Sequence, residues 1–266
     1  MIEHSSHVRH ILSLSGGKDS TALAIYLRDR IPQLEYVFCD TGEELPETYE
    51  YLERVEAYLG KPIVRLNPDR PFSHYLNLYR GVLPDARTRW CTRMLKIKPF
   101  ERFVGDDPAI SYIAIRADEP HRKGYISTKP NITPRYPFIE DNITRVDVLR
   151  ILEESGLGLP DYYRWRSRSG CYFCFFQQRS EWVGLLQHHP DLFEAAKRFE
   201  KFDPVTNVRF TWNSQESLEE LSRPSRVAQI LAEKNSRKTM TRRSASLLEL
   251  VADDEEEVPG CLICHL

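Results

Sequence analysis

Val8-Arg9-His10-Ile11-Leu12-Ser13-Leu14 runs straight into Ser15-Gly16-Gly17-Lys18-Asp19-Ser20, and an amphipathic stretch, Ser20–Arg30, follows. A short apolar run, a glycine pair and a helical pattern predict strand, loop and helix in that order. Adjacent glycines let a backbone approach an anion closely, and the following helix aims its first N–H groups and the positive end of its dipole at the same place. Lys18 is expected to add a mobile cation there, and Ser15 and Ser20 to add hydroxyl donors. In open α/β sheets ligands bind outside the carboxyl ends of the strands, where this loop falls. An ordinary turn with a polar cap would account for a bare Gly-Gly; it accounts poorly for the full six-residue string.

Outward from the loop the alternation continues. Leu34–Cys39 reads as a second strand, Pro46–Leu59 as a second helix, Pro62–Leu66 as a third strand, and Ile110–Ile115, between Pro108 and Asp118, as a fourth. Strands and helices at this spacing predict an α/β fold, a doubly wound parallel sheet, because parallel strands need crossover helices. After about residue 141 strands are expected to stop. Thr144–Glu154, Ser180–Gln187, Pro190–Phe202, Glu216–Leu221 and Ser225–Asn235 read as helices, several opened by a capping Ser or Thr. The chain thus divides into an α/β core (1–141), a helical region (142–235) and a tail (236–266). In the tail Arg237, Lys238, Arg242 and Arg243 precede the acidic run 253–257 and Cys261-Leu262-Ile263-Cys264-His265. It is expected to be largely mobile, with 246–251 a short docking helix.

The 266 residues are 41% hydrophobic and 29% charged, which excludes disorder for the bulk of the chain. No apolar run approaches the roughly 20 residues of a membrane helix, and Met1-Ile2-Glu3-His4 lacks the basic start of a secretory signal. A cytoplasmic protein with no membrane partner is expected. The net charge of −2 leaves nucleic-acid binding to local clusters, and six cysteines are too few for a disulfide scaffold.

Three segments together resemble a known family. The Ser15–Ser20 string resembles the pyrophosphate loop of the ATP pyrophosphatases, the adenine-nucleotide alpha-hydrolase-like superfamily; it is not a Walker loop, which places four residues between its first Gly and its Gly-Lys pair. Val37-Phe38-Cys39-Asp40-Thr41-Gly42 at the second strand, then Glu44-Leu45-Pro46-Glu47-Thr48, resembles the sulfonucleotide (PAPS) reductase branch. Arg116-Ala117-Asp118-Glu119 with Arg122-Lys123-Gly124-Tyr125 resembles that branch's arginine loop. The resemblance covers roughly residues 8–200. It implies ATP with Mg²⁺ bound by Ser13, Ser15, Gly16, Gly17, Lys18, Asp19, Ser20, Asp40, Thr41 and Gly42, with Lys18, Asp19 and Arg116 catalytic. Assimilatory reductases carry a degraded loop and do not cleave ATP. The intact Lys18-Asp19 loop instead resembles members that split ATP into AMP and pyrophosphate.

Cys91, in Arg87-Thr88-Arg89-Trp90-Cys91-Thr92-Arg93, and the pair Cys171/Cys174, in Gly170-Cys171-Tyr172-Phe173-Cys174, are one distant thiol and a CxxC among aromatic residues. That suits an iron–sulfur cluster; zinc suits thiolates as well but takes four closed ligands, and buried structural thiols remain an alternative. The resemblance favours a [4Fe-4S] cluster on Cys91, Cys171 and Cys174. A single cysteine at the first position, where cluster-bearing reductases carry two, leaves one iron open, as in RNA-thiolating relatives. Cys39 reads as core. Cys261 and Cys264 read as a sulfur-relay pair or an adventitious tail.

Basic residues flank the cysteines: Arg80, Arg87, Arg89, Arg93, Lys96 and Lys98 surround Cys91, and Arg164, Arg166, Arg168 and Arg179, interleaved with Tyr162, Tyr163 and Trp165, flank the Cys171/Cys174 pair. Arginines among aromatics bind phosphates and stack bases, although a solvated surface is the plain alternative. Arg87, Arg89, Arg93, Arg164, Arg166 and Arg168 are expected to hold substrate phosphates. The expected function is an ATP-consuming sulfur transfer to nucleic acid, with DNA backbone phosphorothioation favoured, a cysteine desulfurase as sulfur donor, and room for a homo-oligomer. The alternatives are tRNA thiolation, thioredoxin-dependent PAPS or APS reduction, and a nucleotide-binding regulatory subunit without turnover.

Overall fold

Side chains of the first two strands face opposite ways with period two. Leu12, Tyr36 and Phe38 enter one core; Ile11 and Val37 enter another on the opposite side of the sheet. The computed structural model describes residues 8–244 apart from 121, 123–126, 128, 204, 206 and 207. In chain order, β1 (Arg9–Ser13), α1 (Lys18–Leu27), β2 (Glu35–Phe38), α2 (Pro46–Leu59) and β3 (Ile63–Arg65) build the first half. α3 (Phe72–Leu78), α4 (Trp90–Thr92), a π-helical turn (Arg93–Ile97) and α5 (Lys98–Val104) cross to β4 (Ala109–Tyr112) and β5 (Ile132–Arg135). The five strands are all parallel in the order β3-β2-β1-β4-β5.

α1, α2 and α7 (Arg145–Glu154), which follows the short α6 (Pro137–Glu140), cover one face through Leu23, Leu52, Val55, Val148 and Leu152. α5 covers the other through Phe100 and Val104. The doubly wound α/β fold is therefore the observed one. The strand order reverses between β1 and β4, so the loops leaving these strands open the crevice where such sheets bind ligands. β5 has no counterpart in the sequence reading. It is an edge strand containing Pro134, and a proline is tolerated at an edge but argues against a strand when read from sequence.

The helical region holds α8 (Arg179–His188), α9 (Pro190–Lys197), α10 (Leu218–Leu221) and α11 (Pro224–Ser244), packed with α3 and α4 around Phe72, Trp90, Phe173, Trp182 and Trp212. The expectation that strands stop near residue 141 needs correction. α9 ends at Lys197 rather than Phe202, and β6 (Lys201–Asp203) pairs antiparallel with β7 (Val208–Phe210). Phe202, counted as a helical apolar position, belongs to that hairpin and is 55% exposed. α11 continues past Asn235 to Ser244. Lys123, Gly124, Tyr125, the acidic run, Cys261 and Cys264 lie outside the described residues. Among the described residues no helix is long and apolar enough to cross a membrane.

Candidate functional site

The loop after β1 is held open by its two glycines. Gly16 adopts φ +71°, and a Cβ there would meet Thr48 Cγ2 of α2 at 2.6 Å; one on Gly17 would meet Ser169 Oγ at 2.7 Å. The Ser15 amide donates to Ser20 Oγ at 3.1 Å, and Ser20 Oγ donates to the Gly17 carbonyl at 3.2 Å. Ser13, at the end of β1, is buried with its hydroxyl unpartnered. Lys18 is not the mobile cation expected of it. It is the first residue of α1, only 4% exposed, with Nζ 4.0 Å from Asp19 Oδ2 and 5.2 Å from the centre of the Tyr163 ring. Tyr162, Tyr163 and Ser169, far along the chain, pack on the loop, which local spacing could not reveal.

Arg116, beyond β4, reaches back to the same helix end. Its guanidinium meets Asp19 at 2.9 Å, Asp118 at 3.0 Å and Glu119 at 3.7 Å while being 2% exposed. A buried charge set of this kind persists only when its members are paired. Burial pushes the Glu119 carboxyl up, against the pull of Arg116 and Arg122. After β2, Asp40 accepts from the Gly42 amide at 3.0 Å and from the Tyr49 hydroxyl at 2.8 Å. Gly42, with φ +74°, has open space where a Cβ would stand. Thr41 donates to Glu44 at 3.1 Å and lies 3.4 Å from Cys171 Sγ.

Cys91 and the distant pair Cys171/Cys174 line one cavity together with Thr41, Lys96, Phe173, Phe175 and Phe176. No three His, Cys, Asp or Glu side chains among the described residues converge on a single ion position. Tetrahedral zinc needs thiolates about 4 Å apart, given Zn–S bonds of ~2.3 Å. A cluster takes each thiolate on a different iron and asks only that the sulfurs face a common, largely apolar space. The donor set and the cavity walls fit a cluster, with Cys91, Cys171 and Cys174 as its holders. Burial pushes the Cys91 thiol up to about 11 and the Cys171 thiol well above its ordinary value, so loading such a group must release protons. Cys39 is 2% exposed, and burial pushes its thiol up to about 12.

Glu44, in the segment that resembles the reductase branch, and Lys96, in the basic run, have a place beside the thiols that the sequence does not assign them. Glu44 is 6% exposed, accepts from Thr41, lies 3.7 Å from Cys171 Sγ, and keeps Oε2 buried without a partner. Burial works to lower the Lys96 pKa, yet Glu44 and the thiols of Cys171, Cys39 and Cys174 raise it overall. Lys96 had counted only as one of a basic run; the π-helical turn that carries it breaks the 3.6-residue period on which a sequence reading relies. Glu43, beside them, has its carboxyl pushed up to about 7 by burial, with a Tyr172 hydrogen bond opposing.

The arginines divide. Arg87 and Arg93 are exposed, and Arg164 is exposed while pairing with Asp161 at 3.0 Å. Arg89 is half-buried 5.6 Å from the Phe176 ring, and burial lowers its pKa. Arg166, expected on a phosphate-binding face, is 2% exposed and donates to the carbonyls of Gly170 at 3.0 Å and Cys171 at 2.8 Å. Its place is inside the turn that carries the CxxC pair. Arg168 likewise donates to the Phe176 carbonyl.

Residues 9–134 match the model of the phosphoadenosine phosphosulfate reductase domain. Over 197 residues the chain is 27% identical to an uncharacterized protein of Methanocaldococcus jannaschii, covering 69% of this chain and 40% of that relative, so it spans about two-fifths of the relative's length. Among solved structures it is similar to a phosphoadenylyl-sulfate (PAPS) reductase from Candida auris in a phosphate complex, with TM-score 0.49 and 13% identity over 62% of this chain and 82% of that one. It is also similar to the U34-tRNA thiolase NcsA from Methanococcus maripaludis with its [4Fe-4S] cluster, with TM-score 0.45 and 15% identity over 73% of this chain and 72% of that one.

Proposed function

We propose, from the match of residues 9–134 to the phosphoadenosine phosphosulfate reductase domain and from the intact loop at Ser15–Ser20, that the protein is an ATP-dependent sulfur-transfer enzyme forming AMP and pyrophosphate. Its substrate is a nucleic acid, with a DNA backbone oxygen favoured as the atom activated. The observation that carries this reading is the contact of the two halves of the site: Thr41, next to Asp40 and Gly42, touches Cys171, while Ser169 touches Ser15 of the intact loop.

The phosphates of Mg·ATP lie against the Gly16-Gly17 turn and the first amides of α1. A substrate oxygen attacks the α-phosphorus, the bond to the β-phosphate oxygen breaks, and the electron pair leaves on pyrophosphate. Lys18 stabilises that charge from a buried position, where a fixed cation acts more strongly than in water. Asp19 and Arg116 hold the helix end in place. A sulfur nucleophile then attacks the backbone phosphorus that bears the adenylated oxygen, and the P–S bond forms as the P–O bond breaks and that oxygen leaves on AMP. A [4Fe-4S] cluster on Cys91, Cys171 and Cys174 would supply an iron without a protein ligand, able to hold sulfide once a thiol reductant has supplied the two electrons that release it from the persulfide of a cysteine desulfurase. Arg87, Arg93 and Arg164 remain at the surface to receive a polyanion.

One observation favours a second reading: the family model that matches is that of a sulfonucleotide reductase. The deciding experiment is anaerobic turnover with labelled Mg·ATP and, separately, with PAPS and thioredoxin. AMP and pyrophosphate from the wild type, with the rate lowered by ~2–4 kcal/mol of barrier in Lys18→Ala, supports sulfur transfer. ADP and orthophosphate overturn it, and sulfite from PAPS without ATP cleavage establishes the reductase.

A further inference from the structure

Three contacts tie the segment Tyr162–Gly170 to the phosphate loop. The Tyr162 hydroxyl donates to the Gly16 carbonyl at 2.7 Å. The Tyr163 hydroxyl accepts from the Lys18 amide at 3.1 Å, and that amide opens α1. The Ser169 hydroxyl donates to Ser15 Oγ at 3.1 Å and fills the space beside Gly17 that a Cβ would need. A first-turn amide and the hollow beside a glycine are the places a phosphate oxygen takes at a helix N-terminus. Here two side-chain hydroxyls hold them.

The same segment leads into the thiols. Gly170 has φ +133°, a backbone state that L side chains rarely adopt, and Cys171 follows it. Arg166 clamps the carbonyls on both sides of that joint, and Glu181 accepts from the Ser167 amide and hydroxyl at 2.7 and 2.6 Å. The segment is braced within itself, so a displacement at Tyr163 and Ser169 carries to Gly170 and the cysteine pair.

We infer that residues Tyr162–Gly170 form a phosphate-reading strap, in which the Tyr163 and Ser169 hydroxyls stand where phosphate oxygens bind and yield to them, moving Cys171 as they go. The strap makes the thiol centre respond to an occupied loop, so that sulfur chemistry follows ATP binding. This rests on the nucleotide site proposed above. Tyr163 and Ser169 are positioning residues: they compete with the ligand and set the position of Cys171.

The test uses the full chain with Mg²⁺ and inorganic pyrophosphate or ATP as probes, read by calorimetry and by hydrogen–deuterium exchange. Tyr163→Phe keeps the ring beside Lys18 and removes the hydroxyl; it should bind either probe roughly three- to ten-fold tighter, as loss of one competing hydrogen bond predicts. Ser169→Ala should tighten binding in the same direction. In the wild type, pyrophosphate should slow exchange across 16–20 and quicken it across 162–171. Protection at 16–20 with unchanged exchange across the strap, and unchanged affinity in both variants, overturns the strap while leaving the nucleotide site standing. No binding of either probe to the wild type overturns both. If Tyr163→Phe does not fold, Ser169→Ala alone decides.

Discussion

The Thr41 hydroxyl lies 3.4 Å from the sulfur of Cys171, a residue 130 positions further along the chain. Thr41 leaves the end of β2, beside the crevice of the parallel sheet, and Cys171 belongs to the turn that opens the helical region. Their contact joins the half of the molecule that carries the glycine loop to its thiol half at atomic distance. Glu44 completes the join by accepting from Thr41 while facing the same sulfur.

Single replacement of Cys91, Cys171 or Cys174 by Ser should abolish the brown colour and iron of anaerobically reconstituted protein, which in the wild type should hold about four irons and four sulfides per chain. Cys39→Ser should keep the full iron content, because Cys39 is buried against the Lys96 carbonyl at 3.6 Å and does not line the cavity. Iron and sulfide assays on the four variants check this. Stoichiometric zinc in a colourless wild type would contradict it.

Gly16→Ala places a methyl group 2.6 Å from Thr48 Cγ2 at a backbone of φ +71°. The backbone strain alone costs on the order of 1–3 kcal/mol. Adding Thr48→Ser removes the clashing methyl and should recover only the steric part. Urea unfolding of the single and double variants separates the two contributions, and full recovery in the double variant would mean that the backbone carries no strain.

Arg166 and Arg93 should fail in different ways. Arg166→Ala strips the Gly170 and Cys171 carbonyls of charged donors and should cost on the order of 2–3 kcal/mol of stability. Arg93→Ala, at an exposed position, should stay within ~0.5 kcal/mol of the wild type. It should instead weaken binding to a DNA duplex and lower the salt slope by about one. Thermal melts and a salt titration of DNA binding test both halves.

Glu43 should make stability fall with rising pH. Burial raises its carboxyl from 4.5 in the unfolded chain to about 7 in the folded one, so the folded state binds the extra proton. That contribution is fully present below about pH 4.5 and is lost as pH climbs through about 7. Glu43→Gln should flatten this part of the profile. Denaturant melts of the two proteins from pH 5 to 8 measure it, and parallel profiles would show that Glu43 does not titrate in this range.

The sequence by itself determined the strand, loop and helix from Val8 to Leu27, the parallel alternation through β4, and the capped start of α7 at Thr144. Each rests on local causes: the period of apolar residues, a glycine pair at a turn, a capping side chain. It also singled out the three cysteines that line one cavity. Tertiary structure alone decided which long side chains turn inward. Lys18 reads as a mobile cation of the loop and Arg166 as a phosphate-binding residue, yet both are buried, Lys18 beside Tyr163 and Arg166 on the Gly170 and Cys171 carbonyls. Glu44 and Lys96 take their place from partners far away in the chain: Glu44 faces the Cys171 sulfur, and Glu44 with the thiols of Cys171, Cys39 and Cys174 raises the Lys96 pKa. β5 was hidden by Pro134 because the cost of a proline in a strand depends on whether a neighbour needs its missing N–H, and only the order of strands in the sheet made β5 an edge.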